Sequence, residues 1–395
     1  MGSATLSHPA RSTASRLSLR SILALGLCAI IGACGSSSDG DGDGDNDGND
    51  DDVRRDILVG VSDAVILPIY REFDAQAQVL AEAGDALCAQ RDADSLAAVR
   101  QAWRDARSPW KMSEAFGLGP VGDLRIDGAV DFWPVRAGDI EDELAQTTPI
   151  DDAYIDGLGA SRKGLPVLEY LLFDPDRDDA ALLAELSDGD EASRRCMYIA
   201  ELAGDIAEQA ATLLAAWEPG AGDFRAQLVG AGTTSEVYPR LQQGFDVVVN
   251  RFIFTVQTVE GDKLAKPLGR RDGGTPQPGA VESGRSGNSL ADLSDNLAGV
   301  AAVYFGRHGD QTGAENLDAL ITSLRPDLAA QIRDQLAAAQ EAAQAIPPPL
   351  ASAVTDSPDQ VEAAFTTSKE LLRLLSADMA SLLGVTLTFS DNDGD

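Results

Sequence analysis

The chain has 395 residues, with 64 Asp and Glu against 31 Lys and Arg, a net charge of −33 and two His. So acidic a surface repels nucleic acid and excludes it as a partner, while weak attraction of cations remains open. The length suffices for two domains, each with a core of its own.

Residues 1–33 read as an export signal: Arg11, Arg16 and Arg20 precede the apolar run Ile22 to Ile31, and no acidic residue occurs before Asp39. A run of about ten residues is too short for a bilayer, which takes roughly 20. It ends in Ile31-Gly32-Ala33-Cys34, which looks like a bacterial lipobox with Cys34 as the lipid acceptor. A conventional signal peptide with an incidental cysteine is the other reading. Lipidation predicts a lipoprotein of the cell envelope, facing the periplasm and held at a membrane by its acyl chains. Gly35 after the cysteine points to the outer membrane. Removal of the signal takes three Arg and no acid, leaving a charge of −36. Cys28 lies in the signal, so Cys88 and Cys196 remain in an oxidising compartment. A disulfide between them and two buried thiols both fit.

Residues 34–52 are rich in Asp, Gly and Ser, hold no apolar residue after Cys34, and read as a tether. Asp39, Asp41, Asp43, Gly44 and Asp50 have the spacing of a calcium loop, a register that a repetitive run also gives by chance. From Val53 the pattern is helical. Apolar residues at three- and four-residue spacing predict helices over Ile57 to Leu87, broken near Pro68, and Leu96 to Phe116, bent at Pro109. Further helices are expected at 138–147, 151–158, 162–173 and 180–217. Glycine-rich 219–232 is the expected linker between helical-bundle domains at 53–218 and 233–395. The second would hold helices over Ser235 to Leu264, Ser289 to Phe305, Leu317 to Leu324, Pro326 to Ala345 and Pro358 to Leu383, the last capped by Ser357. The fold class is all-α, two bundles with the look of a duplication. Strand alternation appears only at Val385, Leu387 and Phe389.

The stretches RSPWKMSE (from Arg107), DFWPV (from Asp131), KGLPVLEYLLF (from Lys163), KPLGRRDGGTPQPGAVESGRSGNSLADL (from Lys266) and the ending FSDNDGD together resemble the imelysin family of bacterial periplasmic proteins. The resemblance implies a two-domain helical bundle, secreted or lipid-anchored, associated with iron uptake and labelled a peptidase family after an insulin-cleaving member. Its hallmark is G-x-H-x-x-E. Here Gly164 and Glu169 are kept and the histidine is Pro166, which has no ligand atom and suits the first turn of a helix.

A zinc hydrolase takes three protein ligands, mostly His. After signal removal only His308 remains, in what reads as a surface turn. Glu169, inside an apolar run, is either a solvent-edge residue or a buried carboxylate that must be paired, protonated or on a cation. Tyr170 reads as packing. Glu282, Ser283, Ser286, Ser289 and Asp292 form a polar cluster beside Arg285. Ser289 and Asp292 could cap a helix as a capping box, or Glu282 and its serines could face Glu169. Oxygen donors of this kind suit calcium, magnesium or ferric iron better than zinc, with Glu169 and Glu282 as the metal candidates. Ser113 and Glu114 are a similar polar pair, brought near the others by the resemblance alone.

The expected function is that of a lipid-anchored periplasmic binding protein of an iron-acquisition system, without peptidase activity and with iron-uptake proteins as partners. The alternatives are a metallopeptidase with a carboxylate-based metal site and a structural or assembly protein of the envelope.

Overall fold

The computed structural model describes residues 46–187, 189–271 and 273–388. The signal, Cys34, most of the tether and the FSDNDGD ending lie outside them. The described residues belong to one compact unit. Its first helix, Asn46–Val61, begins inside the expected tether. Acidic residues 50–52 are exposed in its second turn, and Ile57, Leu58 and Val61 anchor its far end in the core.

A π-helical turn, Ser62–Ile66, leads directly into Leu67–Gln90. Instead of the break expected near Pro68, the helix takes up one extra residue just before the proline, and Leu67 N–H donates to Ser62 O. Arg91, in the left-handed region at φ 55°, turns the chain back, and Asp92 with Ser95 closes a capping box on Ala93–Ser113. That helix continues through Pro109. Leu67–Gln90 packs against both Ala93–Ser113 and the long Gly189–Trp217. A disulfide joins Cys88 to Cys196 across this layer.

Short helices fill the connection, among them Ile126–Val130, Asp152–Asp156 and Leu165–Leu172. The expected linker contains Phe224–Val229, whose Phe224 and Leu228 join the same hydrophobic core as the rest of the chain. Residues 235–240 form turns stapled by Gln227 and Ser235, so the next helix starts at Leu241. Leu241–Thr258 runs into a second π turn, Val259–Ala265.

Ser289–Phe305, Pro326–Gln344 and Pro358–Arg373 complete the bundle. Ser289–Phe305 also packs on Ala93–Ser113. Gly299 permits this, since a Cβ there would lie 2.1 Å from Met112 O. The only strands among the described residues are the two-residue pair Arg307–His308 and Gln311–Thr312. His308 is thus in a small hairpin, with Nε2 3.1 Å from Glu72.

Candidate functional site

Arg107, Lys111 and Glu114 recur at helical spacing and present charge from one face of Ala93–Ser113 and the 3-10 turn after it. Arg107 and Lys111 are each 1% exposed. They persist there because four carboxylates surround them. Arg107 donates to Asp292 from Nε (2.9 Å), to Asp131 from Nη1 (3.1 Å) and to Glu282 from Nη2 (3.0 Å). Lys111 Nζ lies 2.5 Å from Glu282, 2.5 Å from Asp131 and 2.6 Å from Glu114.

The second π turn delivers a third cation. Lys263 Nζ lies 2.7 Å from Glu282 Oε2 and donates to Asn296 Oδ1 at 2.5 Å. Asn296 in turn donates to Glu114 at 2.7 Å and to the Lys111 carbonyl at 2.8 Å. Trp110 donates to Asp131, while Ser283 and Asn288 donate to Asp292.

Three cations and four carboxylates therefore fix one another. Burial works against the charge on Arg107 and Lys111; the surrounding carboxylates, Asp131 foremost, overcome it and hold both well above their usual values. Burial likewise opposes the Glu282 charge, and Lys111, Lys263 and Arg107 hold it well below the carboxylate range.

Glu169 lies beside this lattice under different control. It is 5% exposed, and its Oε1 accepts both the Ser286 N–H and the Ser286 hydroxyl at 2.8 Å. Burial raises its pKa, partly offset by those two bonds. Gly164, the N-cap of Leu165–Leu172, has φ 88°, and a Cβ there would meet Val130 O at 2.5 Å. The glycine thus lets the Glu169 helix close on the segment that carries Asp131. Pro166 is buried in the first turn of that helix. Arg285 ties the same segment to the 281–288 loop, donating to Phe173 O at 3.0 Å and covering the Tyr170 ring. Tyr170 is only half-buried, and its hydroxyl donates to Glu141 at 2.7 Å.

Several expectations change in detail. The Asn288 position, not Ser289, is the N-cap of Ser289–Phe305, and it has no side-chain cap bond. Ser289 donates to Glu282 O instead, and Asp292 turns from the helix end to Arg107 because an ionic partner outweighs a capping N–H. Of the Glu282 group, Ser286 faces Glu169, whereas the Glu282 carboxylate faces Lys111, Lys263 and Arg107. Ser113 stays out of the cluster, its hydroxyl bonded to Trp110 O within its own helix. Sequence reasoning missed Arg107, Lys111, Asp131, Lys263 and Asn296. The first three lie within the quoted RSPWKMSE and DFWPV stretches, and the helical spacing of Arg107, Lys111 and Glu114 was the available signal.

A resident metal does not fit the donors around Glu169 and Glu282. The Glu282 oxygens face cations, Glu169 Oε1 is bonded to Ser286 and Pro166 offers no ligand atom. Among the described residues no three His, Cys, Asp or Glu side chains are arranged to hold a metal ion.

The helices and the lattice of buried charges that joins them define an all-α bundle protein. The family model described as Imelysin matches residues 66–377, and the chain belongs to the imelysin family. The iron-regulated protein A of Synechococcus elongatus is 32% identical over 293 residues, covering 74% of this chain and 75% of that protein. Two solved structures share the fold. An iron-regulated protein A precursor from Parabacteroides distasonis superposes with a TM-score of 0.71 at 22% identity, covering 84% of this chain and 95% of that one. An imelysin-like protein from Psychrobacter arcticum gives 0.70 at 16% identity, covering 86% and 98%.

Proposed function

We propose that this chain is an exported, lipid-anchored binding protein of an iron-acquisition system that does not cleave peptides. The observation that carries the reading is the state of the G-x-P-x-x-E turn. Pro166 supplies no donor, and Glu169 Oε1 is committed to holding the 281–288 loop through the Ser286 N–H and hydroxyl. A general base must reach the proton it removes. The buried lattice beside it spends its charge on internal partners, which suits a rigid recognition scaffold better than turnover. The iron connection rests on the name of the Synechococcus relative. Anchoring rests on Cys34 and its preceding residues, and among the described residues no helix is long and apolar enough to cross a membrane.

The purified protein, incubated with insulin chain or casein with and without chelator, should leave both substrates intact. Chelator-sensitive cleavage would overturn the reading and favour a carboxylate-based peptidase. A strain lacking the protein should take up less radiolabelled iron under iron limitation. The Cys34→Ser variant should leave the membrane fraction or remain uncleaved.

A further inference from the structure

The second π turn, Val259–Ala265, serves two sides of the molecule. Lys263 leaves it for the buried lattice, while Glu260, Gly261 and Ala265 form one wall of an open cleft of about 410 Å³. Arg270 and Arg271 form a second wall, and Glu362, Phe365 and Lys369, all from Pro358–Arg373, form the third. A cleft of this volume is in the range of small-molecule sites, and π turns recur at functional positions.

The charges in the cleft are of two kinds. Arg270 is paired with Glu362 at 2.7 Å, and Arg271 with Asp262 at 2.7 Å. Gly261 lets Arg271 lie directly on the backbone of the π turn, since a Cβ there would sit 2.2 Å from its Nη2. Glu260 and Lys369 are left over. Both line the cleft, yet among the described residues neither has an ion pair or a hydrogen bond. The Lys369 ammonium rests over the Phe365 ring instead, 5.6 Å from its centre. Glu260 is half-buried on the π turn, and burial raises its pKa against the pull of Lys369 and Arg271. A lone anion entering here would meet Lys369 but be repelled by Glu260, and a lone cation would meet the reverse. A molecule carrying both charges, with an apolar part for Phe365, satisfies all three groups.

We propose that this cleft binds a zwitterion, an α-amino acid with an apolar side chain, its ammonium on Glu260, its carboxylate on Lys369 and its side chain against Phe365. This goes beyond the iron-acquisition reading and does not rest on it. A single exposed ion pair contributes little, so binding requires both ends of the ligand together.

The test is calorimetric titration of the purified protein with L-leucine and L-phenylalanine, at about 0.15 M monovalent salt to suppress diffuse binding to the acidic surface. Leucinamide, which lacks the carboxylate, and N-acetyl-leucine, which lacks the ammonium, are titrated alongside. One saturable equivalent is expected for at least one of the two amino acids, with both derivatives at least about tenfold weaker than leucine. Lys369→Met keeps an apolar stem beside Phe365, and should weaken amino-acid binding at least about tenfold while leaving the residual affinity for leucinamide unchanged. Glu260→Gln should do the same to the amino acid and leave N-acetyl-leucine unchanged. Neither side chain belongs to the buried core, so both variants should fold. Failure of both amino acids to saturate, derivatives that bind as well as leucine, or affinity unchanged in the variants would overturn the proposal.

Discussion

Arg107 Nε donates to both oxygens of Asp292, at 3.0 and 2.9 Å, and both side chains are 1% exposed. This pair connects Ala93–Ser113 to Ser289–Phe305 through residues 185 positions apart in sequence. Removing Arg107 would leave Asp292 buried without a cation, at a cost of about 3–5 kcal/mol, whereas removing Asp292 would leave Arg107 its pairs with Asp131 and Glu282. Arg107→Ala should lower the unfolding free energy by an amount of that order, read as a fall in the denaturant midpoint, and Asp292→Ala by less. Arg107→Lys should rescue poorly, since an ammonium cannot span Asp131, Asp292 and Glu282 with a planar fork. Near-wild-type unfolding of Arg107→Ala would show that the lattice contributes little.

Glu169 separates charge from shape. Glu169→Gln keeps an acceptor for the two Ser286 donors and should leave stability at neutral pH unchanged or raised, since burial already disfavours the ionised form. Glu169→Ala leaves those donors unmatched and should cost about 1–3 kcal/mol in chemical denaturation. Equal effects of the two variants would contradict this.

Two glycines predict opposite outcomes. Gly164→Ala forces a methyl against Val130 O from a left-handed backbone and should lower the melting temperature by several degrees. In Gly204→Ala the methyl enters free space within a helix, and should raise stability by roughly 0.5–1 kcal/mol.

Asp295 gives a pH signature. Burial, reinforced by Asp292 and Glu72 and opposed by the Ser108 hydrogen bond and Arg107, pushes its carboxyl up to about 7 from 3.8. Between those values the folded state binds more protons than the unfolded state, so this group makes stability fall as pH rises, by at most about 1.4 kcal/mol per unit. Its partial exposure makes the real slope smaller. Asp295→Asn should therefore melt above wild type at pH 8, by a margin that shrinks towards pH 4. A margin constant across that range would rule the assignment out.

The Cys88–Cys196 disulfide spans 108 residues. Thiol titration of the unfolded, unreduced protein should find neither Cys88 nor Cys196 free. Reduction should lower stability by about 4 kcal/mol.

The helices were legible because their apolar spacing is local: Val361, Ser368, Leu375 and Met379 form one buried stripe whatever they pack against. The carboxylates Glu114, Glu282 and Asp292 were legible as a candidate site, as were Gly164 and Glu169. Their counter-charges were not. An Arg or Lys on a helix reads as solvated, and Arg107, Lys111 and Lys263 are buried only because acids far along the chain fold onto them. The helix start at Asn46 was hidden for a related reason, since its polar residues hold helix only as an extension of the buried turns that follow.

Lys263 reaches the lattice from a π turn, Val259–Ala265, which amounts to a helix carrying one residue too many. Deleting a single residue before Lys263 would restore regular helix and gain ordinary hydrogen bonds. The same deletion would swing everything beyond it by on the order of 100° about the axis, since a helix advances 3.6 residues per turn. Lys263 would then point away from Glu282 and Asn296. The locally better helix is thus the wrong one for the molecule, and this stretch should tolerate substitutions of side chains far more readily than a change in its length.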